Sequence, residues 1–164
     1  MDQSELPFWI SEIDSALPAA DLFRRKFEHP PPQHPHHVAA FHCADDGSLT
    51  LGCYVHFWSF GDILLGGGAC VDDRVLRRLT PEQRTGLRKH GGLYRLVLDH
   101  AVQRFAPHHA AIFGYCGDRR AREVDLAAGF STTGHEKLLV YWTRELHPIH
   151  QQALIAKAHA LGPF

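Results

Sequence analysis

Two adjacent glycines, Gly91 and Gly92, stand at the head of an amphipathic run, with Arg88, Lys89 and His90 just before them. Leu93, Leu96, Val97, Ala101 and Phe105 recur at helical spacing, which predicts a helix with one apolar face. The start of a helix has free N–H donors and a partial positive charge, and residues without side chains leave those donors uncovered. Such a turn can hold a phosphate, here the diphosphate of a nucleotide-like cofactor. Arg88 and Lys89 add charge at the same spot. A glycine pair is equally at home in a plain turn before a core helix.

Other side chains could move protons or bind ions. His56 lies in an aromatic-rich run, and its ordinary pKa near neutrality suits a base. Tyr115, Cys116, Asp118 and Asp125 follow one another closely. Each has a plainer role: strand residue for His56, core aromatic for Tyr115, inert thiol for Cys116, helix cap for Asp118, and surface partner of Arg122 for Asp125. Arg74, Arg77, Arg78 and Arg84 precede the glycine turn, and Arg119, Arg120 and Arg122 open a later helix, where the dipole disfavours cations. A ligand with several phosphates explains both clusters; so does a solvated face balanced by Asp72, Asp73 and Glu82. His29, His34, His36 and His37 could bind zinc or nickel, but nothing in a proline-rich loop fixes a tetrahedral site, and no metal site is predicted.

The elements that must position these groups are legible in order. Pro7 to Ile13 reads as a strand and Pro18 to Glu28 as a helix, stopped by Pro30-Pro31-Pro32. His29 to His37 reads as an extended loop. Val38 to Cys43, Leu49 to Phe60 and Ile63 to Val71 then form an antiparallel meander, turned at Asp45-Asp46-Gly47-Ser48 and Phe60-Gly61-Asp62. Gly66-Gly67-Gly68 inside the third run marks a bulge or a close approach by another group. Thr80-Pro81-Glu82-Gln83 is a strong helix start for Pro81 to Arg88. After the glycine helix come a buried strand, Ala110 to Cys116, and a helix over Arg119 to Ala128 that Asp118 caps and Gly129 closes. Ser131 to Glu136, Lys137 to Thr143 and a helix from Pro148 to Leu161 complete the chain. This is an α/β domain on a mixed central sheet flanked by helices, read as one domain over 1–164.

Composition narrows the classes. A formal charge of −1 gives no field that favours nucleic acid or an anionic membrane. No apolar run spans a bilayer, and the acidic N-terminus is unlike a signal peptide. Cys43, Cys53, Cys70 and Cys116 form no C-x-x-C pair and sit in apolar runs, which predicts free thiols in a reducing cytoplasm.

From Val38 to Trp142 the chain resembles the GNAT superfamily of acyl-CoA-dependent N-acyltransferases. In that family a bulged strand leads to an Arg/Gln-x-x-Gly-x-Gly/Ala loop, a helix, a buried strand, an Asn, and a helix resembling Ala-x-x-x-Tyr-x-x-x-Gly-Phe. Here the strand is Ile63 to Val71, the loop Arg88-Lys89-His90-Gly91-Gly92-Leu93, and Asp118 takes the Asn place. Ala121 to Gly129-Phe130 matches the last helix in spacing. The resemblance implies a GNAT-like fold and an acyl-CoA cosubstrate, most simply acetyl-CoA. Its diphosphate would lie on the loop residues and its acyl carbonyl on a backbone N–H near Cys70 or Val71, and Asp118, at the Asn place, would also bind the cosubstrate. Tyr115 and Asp125 are the candidate catalytic residues.

The departures are specific. Leu93 stands where the loop has Gly or Ala, Arg74 to Leu87 is longer than the usual link, Asp125 replaces a tyrosine that protonates the leaving thiolate, and Gly66 to Ala69 offers no general-base Glu. Two functions follow: an N-acyltransferase acting on a small-molecule or protein amine, or a catalytically silent domain that binds CoA or serves in interactions. The helix from Pro148 lies outside the family core and either covers the sheet or pairs two subunits.

Overall fold

The computed structural model describes residues 5–33 and 36–164. Its strands are β1 (Phe8–Ile13), β2 (His36–Cys43), β3 (Leu49–Phe60), β4 (Ile63–Val71), β5 (Ala111–Tyr115), β6 (Ser131–Thr132) and β7 (Leu138–Trp142). Its helices are α1 (Ala20–Phe27), α2 (Asp73–Arg78), α3 (Pro81–Lys89), α4 (Leu93–Phe105), α5 (Arg119–Ala127) and α6 (Pro148–Ala160). The strands form one sheet in the order β1-β2-β3-β4-β5-β7-β6. Neighbours are antiparallel except β4 and β5, which are parallel, as their long helical connection requires. The mixed sheet and its order of elements agree with the sequence reading.

Alternation along each strand divides the core between two faces. Val55 and Phe57 of β3, Leu64 of β4, Ile112 of β5 and Leu139 of β7 pack against the apolar stripe of α4. Ile63, Leu65, Ala111, Phe113, Leu138 and Val140 face the other way, onto Leu154, Ile155 and Ala158 of α6. Tyr54 and Cys70 meet Leu22 and Phe23 of α1 on that same side. The last helix therefore covers its own sheet. Leu93 turns inward, only 3% exposed, and packs against the bare backbone of Gly52.

Local signals explain most boundaries. Thr80 and Gln83 form a reciprocal capping box at the start of α3, Gln83 N–H donating to Thr80 Oγ1 at 3.2 Å and Thr80 N–H to Gln83 Oε1 at 2.9 Å. One helix follows from a local cap, and one boundary differs from expectation. Asp73 to Arg78 is helical, because the Asp72 side chain accepts from Arg74 N–H at 3.0 Å and caps it. The predicted loop over His29 to His37 ends early, and β2 begins at His36. The strand can take both imidazoles because each has a partner: His36 Nδ1 lies 2.9 Å from Glu12 Oε1, and His37 Nδ1 lies 2.7 Å from Tyr54 Oη. His34 lies outside the described residues. Among the described residues no three metal-binding side chains converge, all four cysteines are free thiols, and no helix is long and apolar enough to cross a membrane.

Candidate active site

The site begins where β4 leaves β5. The two strands pair only over Ile63–Gly66 and Ala111–Gly114. Just beyond, the register of β4 against β3 slips: Tyr54 faces Cys70, while His56 faces Gly67. Gly68 and Ala69 thus stand opposite Val55 alone, which is a β-bulge. Gly68 has φ +62°, a conformation that side chains other than glycine's rarely adopt. The glycine run is also a matter of space. A Cβ on Gly68 would collide with the His56 and Phe23 rings, one on Gly67 with the Phe164 backbone, and one on Gly66 would lie 2.8 Å from the Phe57 ring. The bulge bends β4 away while β7 holds β5 in place as far as Tyr115, and a gap opens between the parallel pair.

Main-chain groups face this gap. Asp72 N–H donates to Gly52 C=O at 2.8 Å. Alternation along an antiparallel pair then places the N–H of Val71 away from β3 and toward the gap. Ala69 has the same parity, and its carbonyl accepts from Lys26 Nζ at 2.7 Å on that open side. Cys70 points the other way, fully buried beside Tyr54, and burial pushes its thiol up to about 12. Cys70 therefore serves the core, and Val71 is the residue with an available amide.

The glycine turn is open, though not where the sequence placed its donors. Gly91 N–H is already bonded to Arg88 C=O and Gly92 N–H to Leu87 C=O, both at 3.0 Å, and His90 N–H reaches Leu87 C=O at 3.2 Å. These bonds close the end of α3. The uncommitted donors lie one turn on: among the described residues the amides of Leu93, Tyr94 and Arg95 have no acceptor, and Gly92 supplies no side-chain cap. A Cβ on Gly92 would meet nothing within 4 Å, so the space above these amides is empty of protein. Together they make a cradle for an anion at the α4 dipole.

Arg88 and Lys89 are not part of the cleft at this turn. Arg88 donates to Thr85 Oγ1 at 3.3 Å within its own helix, and Lys89 lies with Pro81, Glu82 and Gly86. The cations that line the cleft are Arg25, Lys26, Arg74, Arg77 and Arg120. Arg25 is held by Asp72 at 2.9 Å and by Asp21 at 3.0 Å. Among the described residues Arg74, Arg77 and Arg120 have no ion-pair partner. The adjacent helix α2, which lengthens the link before α3, is what brings Arg74 and Arg77 to the cleft.

Asp72 also gives a pH test. Burial pushes its carboxyl up, but bonds from Arg25 and the Arg74 amide, with both charges, outweigh this and leave it below the ordinary value of 3.8. Its contribution to stability is therefore present above pH 3.8 and lost as pH falls through the lowered value. We expect Arg25→Gln to be less stable than wild type at neutral pH, with the difference shrinking in acid. Urea melts at several pH values check this; a difference constant with pH would contradict it.

Beneath the bulge lies a cavity of about 310 Å³, lined by Gly66 to Ala69, Ile112 to Asp118, Tyr94 and Asp125. Asp125 is not a surface partner of Arg122. It is 4% exposed and accepts from Tyr94 Oη at 2.6 Å, while Arg122 donates to Glu136 C=O at 2.9 Å. Burial raises the Asp125 carboxyl above its ordinary value, despite hydrogen bonds from Tyr94 and Cys116 and the charge of Arg122. Cys116 is pushed up to about 11, by burial first and the Asp125 charge second. Asp118 caps α5, accepting from Ala121 N–H at 2.8 Å, and its residue lines both the cavity and the cleft. Tyr115 lines the cavity from β5, its ring edge-on to Phe164 at 5.9 Å. His56 is 5% exposed, with its ring over Gly67 and Gly68 on the face opposite α4. Tyr115, Asp118 and Asp125 thus line the cavity, Val71 and Asp118 line the cleft, and Tyr94, which sequence reasoning missed, lines both. Its signal was a tyrosine directly after Leu93, at a position the loop motif does not specify.

No protein-family model matches the sequence, and no curated protein matches it by sequence. Solved structures do match by fold. The ribosomal-protein-S18-alanine N-acetyltransferase of Escherichia coli aligns with a TM-score of 0.54 at 13% identity, over 86% of this chain and 97% of that one. Tetrahymena GCN5 aligns with a TM-score of 0.51 at 10% identity, over 80% and 88%. A Pyrococcus horikoshii structure assigned to the acetyltransferases gives 0.54 at 11% identity; it covers 77% of this chain, which spans only 44% of that longer protein. The fold of this chain is that of the GNAT acetyltransferases.

Proposed function

We propose that this chain is an acyl-CoA-dependent N-acyltransferase that takes acetyl-CoA as cosubstrate and transfers the acyl group to an amine. The observation that carries this reading is the cradle. Three open amides at the start of α4 sit above a cleft lined by Arg74, Arg77 and Arg120, and the cleft leads to the cavity under the β4 bulge. A diphosphate suits the first, and a short acyl group suits the second. The Val71 N–H faces the gap where the thioester carbonyl would polarise. His56, on the far side of the bulge, is the base placed to take a proton from an approaching amine. The acceptor, a small-molecule or protein amine, would enter on that far side.

One observation favours a second reading, a domain that binds acyl-CoA without turnover. The backbone of Phe164 lies against Gly67 and its ring against Tyr115, so the acceptor face is covered. Calorimetric titration with acetyl-CoA, followed by thiol release in the presence of an amine panel, separates the two. Binding with release supports the transferase; binding without release supports the second reading; no binding overturns both.

A further inference from the structure

We propose that the chain acylates itself: the Lys26 amine takes the acyl group from bound acyl-CoA and keeps it as an amide; this rests on the acyl-transfer reading above. The cleft that suits a diphosphate and the cavity that suits an acyl group share a few lining residues, and Lys26 is one of them. Among the described residues it is the one primary amine that lines either space. Its Nζ lies 2.7 Å from the Ala69 carbonyl oxygen, on the edge of β4 that the end of its pairing with β5 leaves open. A thioester that runs from the cleft into the cavity passes this nitrogen.

Helix packing fixes the lysine there. Leu22 and Phe23 bury α1 against Tyr54 and Cys70. Lys26 follows them by four and three residues, so its side chain leaves the same face in the last turn, where the helix dipole favours a cation. The Ala69 carbonyl and the Val71 N–H are successive groups on the open edge of β4. A thioester carbonyl on Val71 therefore lies within about 7 Å of the lysine's resting place, the rise of two strand residues. Lys26 is exposed, so its side chain can turn and close that span. An amine from outside meets Phe164, whose backbone lies against Gly67 and whose ring lies against Tyr115. Lys26 already touches β4 with that segment in place.

The atoms balance without a further reactant. The Lys26 ammonium loses a proton to solvent; one N–H stays on the Ala69 carbonyl while the lone pair turns to the thioester. The nitrogen attacks the carbonyl carbon, and the C–N bond forms. The C–S bond breaks with its electron pair on sulfur. That thiolate takes a proton from solvent, and the new amide nitrogen sheds one to solvent. The product is an uncharged amide, which keeps one N–H for the Ala69 carbonyl and removes a cation from the cleft. An amide does not pass its acyl group on, so each chain takes up one acyl group at this position and stops.

The test uses the full chain, wild type and Lys26→Arg, with acetyl-CoA and no added amine. Arginine keeps the charge and can still bond the Ala69 carbonyl, but it stays protonated and offers no free amine. Peptide mass spectrometry locates the acetyl groups, and free thiol is followed alongside. We expect Lys26 to be acetylated at least about 100-fold faster than Lys89 and Lys137, which are exposed and line neither space. Wild type should release about one thiol per chain, and Lys26→Arg none above the uncatalysed rate. Excess CoA should suppress acetylation of Lys26 and leave that of Lys89 and Lys137 unchanged. If Lys26→Arg does not fold, the wild-type map and the CoA competition decide. Equal rates at the three lysines, or acetylation of Lys26 that CoA does not suppress, overturn the proposal. A wild-type protein that binds acetyl-CoA and releases thiol only when an external amine is added overturns it too, and leaves the acyl-transfer reading standing. Failure of wild type to bind acetyl-CoA overturns the reading and the proposal together.

Discussion

Gly68→Ala lowers the melting temperature by about 6–12 °C. Two costs combine at this residue. Its φ of +62° lies in the left-handed region, which costs a residue with a Cβ about 1 kcal/mol. The new methyl must also displace the His56 ring and the Phe23 ring, both buried and neither able to swing into solvent. Overpacking of that kind costs about 1–3 kcal/mol. A total near 3 kcal/mol corresponds to the stated shift for a domain of about this size. Gly117→Ala is the control, since a Cβ there meets nothing within 4 Å and its φ is not in the left-handed region; it should change stability by no more than about 1 kcal/mol. Thermal melts of the two variants side by side give the answer, and equal melting temperatures would show that the bulge is not strained against those rings.

That prediction depends on geometry that the sequence only half discloses. Three glycines in a row announce a bulge or a close approach, because no other residue explains them inside a strand. They do not say which rings approach. His56 and Phe23 come from β3 and α1, separated in sequence from Gly68 and brought to it by sheet register and helix docking. The succession of elements along the chain, the mixed sheet and the starts of α3 and α5 were legible for the opposite reason: period-2 runs, the Thr80–Gln83 box and the Asp118 cap are local. The length of β2 was not, since His36 and His37 look like loop residues until Glu12 and Tyr54 are seen to satisfy them.

The site shows the same division. The glycine turn was readable, but its donors were assigned one turn early. Sequence cannot reveal that the end of α3 folds back so that Leu87 and Arg88 consume the amides of His90, Gly91 and Gly92. Asp125 read both as a catalytic candidate and as a surface partner of Arg122. Its real environment is set by Tyr94 of α4, 31 residues away in the sequence, and by Cys116, just past β5. Basic residues mislead in a similar way: Arg88 and Lys89 are adjacent to the glycines in sequence, whereas Arg25, Arg74 and Arg120 reach the cleft through the packing of three different helices.

On the proposed function, Gly92→Asp lowers acetyl-CoA affinity at least about 100-fold while leaving a folded protein. Gly92 has φ +94° and ψ 171°, a region open essentially to glycine, so any side chain there costs about 1–3 kcal/mol of stability. A carboxylate at this helix cap adds a second effect. It accepts from the open amides of the first turn, as capping aspartates do, and sets a negative charge where a diphosphate would lie. Losing two charge-assisted bonds of about 1.5 kcal/mol each amounts to an affinity loss of about 100-fold, before any repulsion. Gly92→Ala separates the contributions: it carries the backbone cost without the charge, and open space receives its methyl. S-Acetylpantetheine, which has the thioester but no diphosphate, supplies the other comparison. It should bind wild type more weakly than acetyl-CoA does, and the aspartate should change its affinity little. Calorimetry with both ligands on all three proteins resolves the pattern. An equal loss for the two ligands would mean that the substitution damages the whole site, and no loss for acetyl-CoA would place the diphosphate somewhere other than the start of α4.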